Sequence, residues 1–293
     1  MVPVLQILQT TSPRLQGLSL RLVILTSVFS YLGLTCFPLP RSPDCPGDLS
    51  FLDFRHLSYF AYTINVLSGT PSTIHSLVNQ NRTTLHSIAL INPHSFPQWI
   101  FPTNALSIRN LTSIFFAGHF PPTTHAFADI LSHGRQLETF DMSCCALESS
   151  NASLQFRSVQ GANSLPFLRH FAFSVQSIGI RTIDRDLFPA VAEFLRGRRQ
   201  LKSLQLVASE QPIQHAVGFD ASIWGVLPSL EGLKSLKISY PSDLSPGLAS
   251  WLIPRTVLAL NLTVDYNTPS TADPIPFLKV CDYFCTPPCL NSY

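Results

Sequence analysis

Charge is what this sequence most lacks. Only 12% of its 293 residues are Asp, Glu, Lys or Arg, about half the ~25% of an ordinary soluble domain. The formal net charge is +2. A chain kept disordered by self-repulsion is excluded, as is a nucleic-acid binder working through a large positive field. Glycine is also sparse, with 13 residues against 24 prolines, so loops closing short elements are expected rather than long helices. The longest apolar stretch, Leu22 to Phe37, has 16 residues, where about 20 are needed to cross a bilayer. It carries Thr26, Ser27, Ser30 and Thr35, and the first basic residue of the chain is Arg14, unlike the start of a secretory signal. The stretch reads as buried core, with a membrane anchor through residues 22–37 as the alternative.

Local catalytic signatures are missing too. There is no H-E-x-x-H, G-x-S-x-G or Walker sequence, so nucleophile, base and phosphate-binding roles have no motif to rest on, and no enzyme is expected. The nine histidines are scattered singly, and His133 and His170 read as capping or packing residues. Cys281, Cys285 and Cys289 form C-x3-C-x3-C. That run lacks the C-x2-C spacing usual for zinc and has no nearby histidine as fourth ligand, so no metal and no cofactor are expected. Seven cysteines, odd in number and unevenly placed, favour a reducing compartment, cytoplasm or nucleus. N-x-S/T sequons at Asn81, Asn110, Asn151 and Asn261 matter only if the chain enters the secretory pathway.

What the chain does contain is repetition. A hexapeptide, apolar-x-x-apolar-x-apolar, begins at Leu15, Leu57, Leu85, Leu111, Leu137, Leu168, Leu201, Leu233 and Val257. Successive offsets are 42, 28, 26, 26, 31, 33, 32 and 24 residues. One such hexapeptide is noise in so apolar a sequence; nine at near-regular spacing indicate stacked units. Two copies extend to L-x-x-L-x-L-x-x-N/C-x-L. Leu57, Phe60, Tyr62, Asn65 and Leu67 fill one; Leu137, Phe140, Met142, Cys145 and Leu147 fill the other. The fourth and sixth positions alternate like a strand and are expected to point inward, while Asn65 and Cys145 are expected where the chain turns away. Cys145 therefore reads as a turn residue and not as a nucleophile.

Helix-like segments lie between the hexapeptides. In Asp186 to Arg199, Leu187, Val191, Phe194 and Leu195 share a face, with Arg196, Arg198 and Arg199 in the expected last turn. That basic cluster, with Lys202, reads as a helix ending and not as a nucleic-acid site. Shorter pieces are expected at Thr73 to Gln80, Thr123 to His133, Ala221 to Leu227 and Leu248 to Ile253. Strand and helix in alternation imply an α/β solenoid, a curved horseshoe of about nine irregular repeats, with a parallel sheet on its concave side and helices on its convex side. The array spans residues 1–265, with an insertion-like segment at 22–50. Residues 266–293 read as a poorly ordered tail containing Pro and Cys.

The third, fifth and seventh residues of each copy fall on the open face of such a sheet. They are mostly Ser, Thr and Ala, and only Arg21, Asp141 and Lys237 among them are charged. A floor this neutral suits a protein partner better than phosphate. The candidate protein-binding residues are Tyr59, Ser87, Phe115, Asp141, His170, Gln205 and Lys237.

The nine hexapeptides resemble leucine-rich-repeat proteins of the ribonuclease-inhibitor-like type. FLDFRHLSYF, ILSHGRQLETF and EFLRGRRQLKSLQL are similar to the irregular repeats of fungal F-box/leucine-rich-repeat proteins. The resemblance implies an array that holds a substrate protein for a cullin ubiquitin ligase, docked to a Skp adaptor through an F-box. The first hexapeptide begins at Leu15, leaving no room before it for an F-box of some forty residues. The expectation is the substrate-recognition half of such a receptor without its docking half, with the Skp adaptor a partner only if an F-box lies upstream. The alternative is a secreted or membrane-anchored leucine-rich-repeat recognition protein, suggested by residues 22–37 and the sequons.

Overall fold

The computed structural model describes residues 17–21, 56–63, 76, 78–91, 109–119, 126–146, 152–158, 164–178 and 183–264. Within them each hexapeptide contributes a strand that starts two residues after its first apolar position. The strands are β1 (Gly17–Arg21), β2 (Tyr59–Thr63), β3 (Ser87–Ile91), β4 (Ser113–His119), β5 (Thr139–Ala146), β6 (His170–Val175), β7 (Ser203–Ala208), β8 (Ser235–Ser239) and β9 (Ala259–Thr263). They form one nine-stranded sheet in chain order, and every adjacent pair is parallel. A parallel neighbour requires the chain to return to the starting edge each time, which is why helices stand in the intervals from β4 to β9.

The described helices are α1 (Ala126–His133), α2 (Ala152–Arg157), α3 (Leu187–Leu195), α4 (Gln211–Val217), α5 (Ala221–Trp224) and α6 (Pro246–Leu252). Residues 76 and 78–80 are also helical. Four of the five expected helical segments thus have a described counterpart with shifted ends, and the fifth, Thr73 to Gln80, is only partly described. Helices α2 and α4 were not expected. One correction concerns the arginines: α3 stops at Leu195, so Arg196, Arg198 and Arg199 lie beyond its last turn.

Burial follows the hexapeptide. Leu57, Leu85, Leu111, Leu137, Leu168, Leu201 and Leu233 are all buried, as are Phe60, Ile88, Ile114, Phe140, Phe171, Leu204 and Leu236 at the fourth position. Each such side chain contributes roughly 1.5–3 kcal/mol by leaving water. Helices close over this face through phenylalanines that touch in sequence. Phe140 stacks on Phe171 at 5.8 Å, Phe171 meets Phe194 at 5.7 Å, and Phe156 lies edge-on to Phe173 at 5.4 Å. Phe173 then meets Phe188, which meets Phe219 at 4.8 Å. These edge-on and tilted pairs satisfy the ring quadrupoles while welding strands to helices.

Polar side chains stitch neighbouring units where backbone pairing runs out. Buried Asn81 accepts from the Leu57 amide at 2.9 Å, and Thr84 donates to the Leu57 carbonyl at 3.0 Å. The β7–β8 ladder ends at Leu206 and Ile238. Ser239 Oγ takes over, accepting from Ala208 N at 3.0 Å and donating to Ala208 O at 2.9 Å. Beside it, Trp224 Nε1 donates to Ser239 O at 3.1 Å.

Two expectations about turns are corrected. Cys145 lies inside β5, opposite a register shift where Gly118 pairs with Cys144 and His119 with Ala146. It is the extra residue of a bulge and not the point where the chain turns away. Arg198 is buried, not a solvated cation at a helix end. Its Nε donates to Phe194 O at 2.8 Å, its Nη1 to Ser164 O at 2.7 Å and Leu165 O at 3.2 Å, and its Nη2 to Ser164 Oγ at 2.9 Å. Burial pushes the guanidinium down to about 10, which leaves it charged at neutral pH. The loop it grips includes Leu165 at φ 50°, a left-handed conformation that costs a side chain about 1–2 kcal/mol.

Candidate binding face of the sheet

The face away from the helices carries the alternate residues of each strand, and the parallel register sorts them into rows. Tyr59, Ser87, Ser113, Thr139, His170, Ser203, Ser235 and Ala259 form the row nearest the strand starts. Ala61, Ala89, Phe115, Asp141, Ala172, Gln205, Lys237 and Asn261 form the middle row. The burial pattern of β3 and β7, half-buried alternating with buried, is what one covered and one open face produce.

All seven expected binding residues stand on this face, but not as one cluster. Tyr59, Ser87 and His170 belong to the first row, with Tyr59 39% exposed and His170 exposed. His170 and His133 are both exposed and so not packed; His133 is the last residue of α1, a position that suits the capping alternative. Phe115, Asp141, Gln205 and Lys237 belong to the middle row. There Phe115 neighbours Asp141 and Gln205 neighbours Lys237, while Ala172 separates the two pairs. The row therefore offers an aromatic ring and a carboxyl, then a shallow step, then an amide and an ammonium.

The titration of Asp141 on this face is displaced. Set between Phe115 and Ala172 and half-buried, its carboxyl is raised from 3.8 to about 6 by loss of hydration, against the opposing pull of Lys237. Lys237 belongs to the third strand along the same row, and its ammonium offsets burial only in part. In the third row Ser174 Oγ donates to Ser143 Oγ at 3.1 Å, and Gln176 Nε2 donates to the same oxygen at 2.9 Å. These hydroxyls pair with one another and with an amide, and among the described residues no carboxylate or imidazole bonds to them. The face as described is small and mostly neutral, with a few distinct side chains.

A second feature escaped sequence reasoning. On the edge where the chain enters β3, β4 and β5, a groove of about 560 Å³ is lined by Arg82, Thr83, Arg109, Asn110, Arg135 and Gln136. All are exposed except Asn110, which is half-buried and whose Nδ2 donates to Arg82 O at 2.9 Å. The sequence signal was an arginine two residues before the first leucine of a hexapeptide, at Arg109 and Arg135, and three before it at Arg82.

The sequons differ in access. Asn81 is 1% exposed and engaged with Leu57, so the folded unit closes it to modification, whereas Asn261 stands exposed on β9. Asn151 lies outside the described residues, as do the side chain of Arg21, the segment 22–50, Asn65, Leu67, Leu147 and residues 266–293 with Cys281, Cys285 and Cys289. Among the described residues no helix is long and apolar enough to cross a membrane, and no three His, Cys, Asp or Glu side chains are grouped to hold a metal ion. No family model, no curated protein and no solved structure matches the chain.

Proposed function

We propose that this chain is a non-catalytic protein-interaction scaffold of the leucine-rich-repeat type, a horseshoe of about nine irregular repeats. We take it to be the substrate-recognition part of an F-box-type ubiquitin ligase receptor. Its open sheet face holds the substrate protein, and docking to a Skp adaptor belongs to an F-box outside the array. The observation that carries the scaffold reading is the conversion of nine hexapeptides into nine parallel strands in chain order. That arrangement leaves a continuous open face on which the described side chains form no catalytic grouping. The ligase assignment rests on the resemblance of the repeats alone.

The middle row supplies the recognition chemistry. Phe115 offers apolar area, Gln205 offers amide hydrogen bonds, and Asp141 and Lys237 offer charges of opposite sign. Partners of mixed surface fit such a row better than uniformly charged ones. Quantitative affinity capture with the full chain tests this, comparing wild type with Phe115→Ser, Gln205→Ala and Lys237→Glu. Loss of a common set of captured proteins, with the fold retained, is expected. Identical sets from all four proteins would place binding elsewhere. Reciprocal capture with a Skp adaptor, with and without an F-box fused ahead of the array, tests the ligase reading separately. Adaptor recovery that does not depend on the F-box would contradict it.

A further inference from the structure

The groove on the strand-entry edge is a charged feature that the open-face reading leaves unused. Arg82, Arg109 and Arg135 come from three successive units, and across two strand spacings they span roughly 10 Å. Among the described residues none of the three joins an ion pair. Three other arginines do find carboxylates: Arg157 meets Asp186 at 3.3 Å, Arg196 meets Glu193 at 3.2 Å, and Arg199 meets Glu231 at 3.5 Å. In a chain whose net charge is only +2, three arginines aligned without carboxylates are an uneconomical way to stay soluble and an effective way to hold an anion.

The geometry points to this groove as the docking site of an extended, carboxylate-rich segment of a protein partner. Alternate side chains of an extended peptide recur every ~6.6–7 Å on one side, so two or three carboxylates cover the span of the three guanidiniums. Each guanidinium presents a planar fork of donors matched to a carboxylate. Thr83 and Gln136 add neutral donors and acceptors for the peptide backbone between those anchors. A single-stranded nucleic acid is disfavoured because, among the described residues, no aromatic side chain lines the groove to stack on a base. The inference takes from the scaffold reading only the choice of a protein segment as occupant; the site itself lies on the edge and not on the open face.

Fluorescence anisotropy with a labelled peptide of alternating Glu and Ser, at low salt, tests it on the full chain. Saturable binding is expected, weakened about tenfold in the Arg109→Gln/Arg135→Gln double variant and less than about twofold in Arg255→Gln, an exposed arginine farther along the same edge. Raising the salt to physiological strength should weaken binding further, since exposed charges are screened beyond about 8 Å. Absence of saturable binding by the wild-type chain would overturn the proposal. So would an equal loss in Arg255→Gln, which would mean a diffuse field. Tighter binding of an oligothymidylate of equal charge would mean a nucleic-acid site instead, and full competition by millimolar inorganic phosphate an adventitious anion site. Phe115→Ser should leave the peptide affinity unchanged, so failure here and failure of the open-face reading are separable.

Discussion

The guanidinium carbon of Arg198 lies 4.2 Å from the centroid of the Phe194 ring. The same side chain closes hydrogen bonds to carbonyls of Phe194, Ser164 and Leu165. A cation thus rests on an aromatic face while tying the end of one helix to the loop of the preceding unit, including the left-handed Leu165. Arg198→Ala strands those acceptors in a buried setting, and about 2–4 kcal/mol of stability should be lost. Arg198→Lys keeps the charge without the fork and should recover only part of it. Urea denaturation of the two variants checks both values.

Asp141 gives a pH signature. Its folded value, about 6, lies above the ordinary 3.8, so between pH 4 and 6 the folded chain binds the proton more tightly than the unfolded one. Stability from this group is therefore fully present below pH 4 and is lost as pH rises through about 6. Asp141→Asn should match wild type near pH 4 and exceed it at pH 7.5 by about 1–2 kcal/mol, a figure reduced from the full shift because the group is half-buried. Thermal unfolding of both proteins across that range reads the crossover.

Ser239 replaces a missing rung of the ladder. Ser239→Ala leaves the Ala208 amide without its partner in a buried strand, and a loss of about 1–3 kcal/mol is expected. Exchange of the Ala208 amide, followed by NMR, should quicken in the variant while amides of β5 stay protected.

Gly218 caps α4 with φ 67°. A Cβ there would lie 1.8 Å from Arg185 O, so Gly218→Ala combines a left-handed conformation with a backbone collision. About 3 kcal/mol or more should be lost. Gly247→Ala, in α6 with nothing near its Cβ position, should be neutral or slightly stabilising, since alanine suits a helix better than glycine.

The strands were legible because the hexapeptide encodes both halves of their environment: its apolar positions demand a core, and the small polar residues between them tolerate an open face. The missed helices differ in kind. For α4, Pro212 at the start and Gly218 at the end were visible punctuation. Helix α2 has six residues and no acidic residue in its first turn, and it is held by packing, with Phe156 against Phe173 and Phe194. The role of Arg198 left no trace, because three of its hydrogen bonds go to Ser164 and Leu165, 34 and 33 residues earlier. The displaced titration of Asp141 was equally hidden, since Phe115 and Ala172 become its neighbours only through the register.

The central claim is that alternate residues of one strand face opposite environments, one packed and one available to a partner. Gln205 and Leu206, adjacent in β7, test it in a single pair of denaturation curves. Leu206→Ala should cost about 2–5 kcal/mol, as the loss of a fully buried leucine does. Gln205→Ala should stay within about 0.5 kcal/mol of wild type. Equal losses, or a larger loss at Gln205, would contradict the assignment of faces and with it the binding surface proposed.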